Sequence, residues 1–99
     1  MHVLSVRGAL PEHRSTQAEI TTSFTETMLR GQVDRRVVER FHRNACVETR
    51  HTVLPLSAYG GLRDFGESND VFITEGTALG ARAVVDALKA VDLAPSDVD

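Results

Sequence analysis

The stretch that decides the fold reads NACVETRHTVLPLSAYGGLRDFGESNDVFITEGTAL and runs from Asn44 to Leu79. Its first part, Val47–Val53, is predicted to be extended or loop-like, and Pro55 disfavours helical backbone at the residue before it. Two consecutive glycines, Gly60 and Gly61, then break the chain again. The stretch therefore predicts an extended segment, a turn, and a long element that begins after the glycines.

The long element is predicted to be a helix. Ser68 and Asn69 are both good N-cap residues, and the apolar pattern after them continues to about Val91. Two glycines on one helix face lower helix stability, so we expect another backbone to pack closely against that face. The predicted apolar face consists of Phe72, Ile73, Gly76, Leu79, Gly80, Ala83 and Leu88.

Two elements are predicted near the N-terminus. His2–Val6 contains β-branched and apolar side chains and is predicted to form a strand. A helix is predicted over Thr16–Leu29, because Thr16 and Glu19 have the spacing of a capping box, in which each side chain satisfies a backbone N–H of the other residue. The apolar stripe of this helix consists of Ile20, Phe24 and Met28, at helical spacing.

A second short helix is predicted to begin after Asp34, which can cap it, and to end near Ala45. Its inward side is predicted to carry Val37, Val38 and Phe41, while the charged residues stay solvated. Glu39 and Arg43 are expected to form an ion pair one turn apart, worth a few tenths of a kcal/mol.

One strand, two short helices, an extended segment and one long helix do not close a two-layer unit. The chain has 99 residues, which is enough for one small domain at most. We therefore expect residues 1–99 to be an incomplete portion of a larger domain.

Composition bears on several classes of function. The formal net charge of −3 gives no general case for nucleic-acid binding, and the apolar runs are far too short for a membrane span. The N-terminus has no charged region followed by an apolar core, so no signal peptide is predicted. The single cysteine cannot form an internal disulfide, which fits a reducing, cytoplasmic setting.

Few side chains suggest chemistry. Cys46, the only thiol, lies at a predicted helix C-terminus, where the helix dipole disfavours a thiolate, and we interpret it as structural. The four histidines match no usual zinc spacing, so no metal site is predicted. Arg50 and His51 are expected to hold the turn at Val53–Leu56 through hydrogen bonds. Tyr59 is expected to pack with its hydroxyl hydrogen-bonded.

The motif order resembles the N-terminal region of bacterial type III polyketide synthases, the chalcone synthase-like branch of the thiolase superfamily. The most specific part is RHTVLPLSAY, residues 50–59, followed by DFGESNDVFI, residues 64–73. The closing LGARAVVDALKAVDLAPSDVD, residues 79–99, also resembles the β-ketoacyl synthase III branch of the same superfamily. That branch is the near alternative, and a non-catalytic interaction module built on the same scaffold is the more distant one.

The resemblance implies an α/β, thiolase-like fold of which residues 1–99 are the N-terminal, mostly helical part. It implies a homodimeric acyltransferase that condenses an acyl-CoA starter with malonyl-CoA units, with CoA thioesters as substrates and no bound cofactor. In this family the nucleophilic cysteine and its His and Asn partners lie beyond the position that matches Asp99. The resemblance therefore implies no catalytic residue in this chain, which is expected to be inactive without the remainder.

The resemblance also implies one binding role. In plant members, basic residues of the second helix contact CoA phosphates, and Arg40 and Arg43 fall at matching positions. A third basic position of the plant pattern has no counterpart, because this chain is shorter between Arg43 and Arg50. Six of the eleven basic residues lie between Arg30 and Arg50, and a solvated helix face is the ordinary interpretation of such a cluster.

Overall fold

The computed structural model describes residues 2–98, which form two compact units. One unit is Pro11–Glu67, and the other consists of residues 2–10 together with 68–98. The described residues form four α-helices and one two-stranded sheet. In chain order the elements are β1 (His13–Thr16), α1 (Gln17–Ser23), a π-helical turn (Phe24–Met28), α2 (Arg35–Asn44), β2 (Thr49–Thr52), α3 (Leu56–Tyr59), α4 (Phe65–Lys89) and a 3₁₀ turn (Pro95–Asp97).

The sheet is an antiparallel ribbon of β1 and β2. His13 lies opposite Thr52, and Thr16 lies opposite Thr49. The pairing is extended by one backbone hydrogen bond, in which Gln17 N–H donates to the Glu48 carbonyl over 2.8 Å. The extended segment predicted within the deciding stretch is confirmed, and its partner strand lies directly before α1.

The predicted strand at His2–Val6 is wrong. These residues pair with no strand among the described residues, and Val3, Leu4 and Val6 are exposed. A strand is not stable without a neighbouring edge to complete its hydrogen bonds. The segment contacts α4 instead, because Ser5 Oγ donates to the Ala87 carbonyl over 2.7 Å.

The capping box at the start of α1 is confirmed. Thr16 Oγ1 accepts from Glu19 N–H over 3.2 Å, and Glu19 Oε2 accepts from Thr16 N–H over 2.7 Å. Two threonines of this region, Thr21 and Thr25, are buried and donate their hydroxyls to carbonyls four residues earlier. This back-bonding satisfies the hydroxyls inside the helix. After Ser23 the helix widens into the π-turn.

The cap of α2 is confirmed, since Asp34 Oδ1 accepts from Arg36 N–H over 2.9 Å. Val38 has 6% of its surface exposed and is the one hydrophobic residue that is buried among residues 2–98. The inward placement of Phe41 is wrong: it is 66% exposed. The predicted pairing of Glu39 is also wrong, because Glu39 accepts from Arg35 Nε over 2.8 Å.

The long helix is confirmed, but it begins at Phe65, earlier than predicted. Asp64 Oδ1 accepts from Glu67 N–H over 2.9 Å and satisfies one of the first backbone donors. The predicted apolar face is wrong in its first turn, where Phe72 and Ile73 are both exposed. Half-buried positions instead recur every four residues, at Val71, Glu75, Leu79, Ala83 and Ala87.

Candidate functional site

The two predicted phosphate-binding residues lie on the exposed side of α2. Arg40 and Arg43 are one helical turn apart and line a shallow cleft together with Arg36, Val37 and Glu39. Among residues 2–98 neither guanidinium forms a hydrogen bond or an ion pair, whereas Arg36 pairs with Asp34. Unpaired guanidinium groups can donate two parallel hydrogen bonds to a phosphate, so the pair is chemically suited to that ligand.

A second, polar cleft of about 280 Å³ lies between α1 and α2. Thr21 is its most buried residue, and the Thr21 hydroxyl oxygen lies 2.7 Å from His42 Nδ1. The His42 ring also packs against the Phe24 ring, with centroids 6.2 Å apart. The lining consists of Gln17, Ala18, Thr21, Arg35, Glu39, His42 and Arg43. Arg43 therefore borders both clefts.

Sequence analysis missed this polar cleft. The apolar stripe of α1 was predicted to be its packed face, but the buried positions of this region are Thr21 and Thr25. The missed signal is that Gln17, Thr21 and Thr25 also recur at four-residue spacing. Threonine hydroxyls can donate to backbone carbonyls of their own helix. A stripe of such side chains can therefore be buried although it is polar.

The stripe of Ile20, Phe24 and Met28 borders an apolar groove of about 170 Å³. Thr52, Leu56 and Tyr59 complete much of its wall. The Tyr59 hydroxyl accepts from Leu54 N–H over 3.4 Å, so the expected hydrogen-bonded tyrosine is confirmed.

The expected roles of Arg50 and His51 are wrong. Arg50 Nε donates to Gln17 Oε1 over 2.9 Å, and His51 Nδ1 lies 2.8 Å from the Pro11 carbonyl. Both side chains therefore brace the ribbon. The turn that follows β2 is held instead by Thr52, whose hydroxyl donates to the Leu54 carbonyl over 2.8 Å.

Cys46 is exposed and lies just after α2 with a left-handed backbone, at φ 53°. Its thiol donates to the Asn44 carbonyl over 3.7 Å. A nucleophilic cysteine needs a base or another feature that favours the thiolate, and within residues 2–98 this thiol forms no hydrogen bond with an imidazole. Nor do the described residues contain a cluster of His, Cys, Asp or Glu that could bind a metal ion.

Two carboxyl groups have perturbed acidity. Hydrogen bonds from the Thr16 backbone and then from its hydroxyl lower the pKa of Glu19. A side-chain hydrogen bond and then a backbone hydrogen bond from Arg63 lower the pKa of Glu67. Both groups stabilise helix starts, and neither lies in the clefts.

Comparison with curated proteins tests the resemblance. Ninety-seven residues, 98% of this chain, are 40% identical to 1,3,6,8-tetrahydroxynaphthalene synthase of Streptomyces peucetius subsp. caesius. The chain is homologous to a bacterial type III polyketide synthase. The match covers 26% of that relative, so the chain spans about a quarter of its length. No family model matches the sequence.

The homology confirms the resemblance seen in the motifs, and the mixed helix and strand content is compatible with part of a thiolase-like domain. None of the helices over residues 2–98 combines the length and apolar character needed to cross a bilayer.

Proposed function

We propose that this chain is the N-terminal portion of a type III polyketide synthase, an acyltransferase that condenses an acyl-CoA starter with malonyl-CoA units. The observation that carries the proposal is the 40% identity over 97 residues to a tetrahydroxynaphthalene synthase. In this proposal the two-stranded ribbon and the helices are part of an α/β, thiolase-like domain, and the complete enzyme is a cytoplasmic homodimer.

The proposed role of this portion is structural support and recognition of the substrate's CoA group. Arg40 and Arg43 are exposed and unpaired among the described residues, which supports their contacting CoA phosphates. The nucleophile and its partners would be supplied by the segment that matches the remaining length of the relative. Cys46 is not the nucleophile in this proposal, because its contact is a backbone carbonyl.

A chimera tests the proposal. This chain would replace the matching 97 residues of the Streptomyces relative, and condensation of malonyl-CoA would be followed by CoA release and product formation. We expect the chimera to retain condensing activity, because the replaced segment would have the same structural role. A chimera that folds and assembles as the parent does, yet forms no polyketide, would overturn the proposal.

Two controls sharpen the test. The isolated chain, incubated with malonyl-CoA and a fatty acyl-CoA, should release no CoA above the blank. Cys46→Ala in the chimera should leave turnover unchanged within about twofold, because a substitution away from the reacting atoms costs little. Turnover by the isolated chain that disappears in Cys46→Ala would assign the chemistry to this thiol instead.

A non-catalytic interaction module remains a second candidate because of α4. None of the helix positions is buried among the described residues, and Phe72 is 73% exposed. Apolar side chains exposed along a helix are typical of a surface that another polypeptide covers. Size-exclusion chromatography with light scattering tests this candidate: a monodisperse oligomer of the isolated chain supports it, and a monomer or a polydisperse aggregate contradicts it.

A further inference from the structure

We draw no further inference here: the strongest candidate, the apolar face of α4 that includes Phe72, Ile73 and Val84, lies exposed among residues 2–98, and nothing in the structure shows what covers it.

Discussion

The unit Pro11–Glu67 and the unit of residues 2–10 with 68–98 are stabilised in different ways. In the first, hydrogen bonds join residues far apart in sequence, as between Arg50 and Gln17, and Val38 and two threonines are buried. In the second, α4 supplies most of the structure through its own backbone hydrogen bonds, Ser5 and Arg82 add two side-chain hydrogen bonds between residues 2–10 and the helix, and none of the helix positions is buried. Sequence-local signals are therefore sufficient for a helix, whereas a packed unit depends on contacts that no local pattern reports.

Among the substitutions that test this contrast, Val38→Asp should cause the largest loss of stability. A carboxylate at a position that is 6% exposed has no partner, so we expect Pro11–Glu67 to lose about 3 kcal/mol or more of stability. The single tyrosine, Tyr59, lies in this unit and the chain has no tryptophan, so tyrosine fluorescence during urea unfolding reports on it selectively.

Val84→Asp is the matched control in α4, at a position that is 57% exposed. It should change stability by less than about 0.5 kcal/mol, as surface substitutions usually do. Urea unfolding followed by circular dichroism measures both variants. If they destabilise the chain equally, Val84 is buried in solution and the contrast between the two units fails.

Thr16→Ala should have an intermediate effect. It removes the hydroxyl that accepts from Glu19 N–H, and loss of such a cap costs about 1 kcal/mol. Urea unfolding followed by circular dichroism measures the change, and amide exchange at Glu19 locates it. Thr77→Ala is the control: its hydroxyl only back-bonds to the Ile73 carbonyl on the exposed surface of α4, so its removal should be nearly neutral.

Glycine substitutions should give smaller effects of opposite sign. A Cβ at Gly80 meets no atom within 4 Å, so Gly80→Ala should stabilise α4 by up to about 1 kcal/mol through helix propensity. Gly31 has φ +74°, and Gly31→Ala should destabilise Pro11–Glu67 because a side chain is strained in that conformation. Thermal unfolding by circular dichroism compares the two. Destabilisation by Gly80→Ala would indicate that another backbone packs against this face, as the sequence first predicted.

The acidic pH range separates two ways of stabilising a helix start. The lowered pKa of Glu19 means that its contribution is fully present above the ordinary value of 4.5 and is lost as pH falls through the folded-state pKa. The pKa of Glu67 is also lowered, so its contribution to stability is likewise lost as pH falls. Added salt should reduce the shift of Glu67, which faces the charged Arg63, more than that of Glu19, whose partner Thr16 is neutral. Carboxyl NMR titrations at low and high salt measure both, and equal salt sensitivity would contradict the assigned causes.

Local signals predicted much of this structure. The capping box at Thr16 and the cap at Asp34 depend on residues within a few positions of each other, and both are confirmed. The extended segment before Pro55 is also confirmed. The strand at His2–Val6 failed because strand formation requires a neighbouring edge, and the sequence pattern of one segment cannot supply that information.

The site was less accessible to sequence reasoning. Arg40 and Arg43 were found through family resemblance, and their exposure on α2 follows from helical spacing. The polar cleft was missed because it depends on Thr21 meeting His42 across two helices, a contact between residues distant in sequence. The partner of Glu39 was mispredicted for a related reason. Arg35 and Arg43 are equally spaced from Glu39 along the helix, so spacing alone does not decide that Arg35 is the one that bonds.

The antiparallel ribbon has a consequence for the order of folding. Its two strands enclose the whole sequence from Thr16 to Thr49, including α1 and α2. Helices form within about a microsecond, whereas closing a long loop carries an entropy cost that only later contacts repay. We therefore expect the ribbon to close last and to open first. Because Gln17 bonds to both Glu48 and Arg50, each opening would also release the side chain that faces the polar cleft.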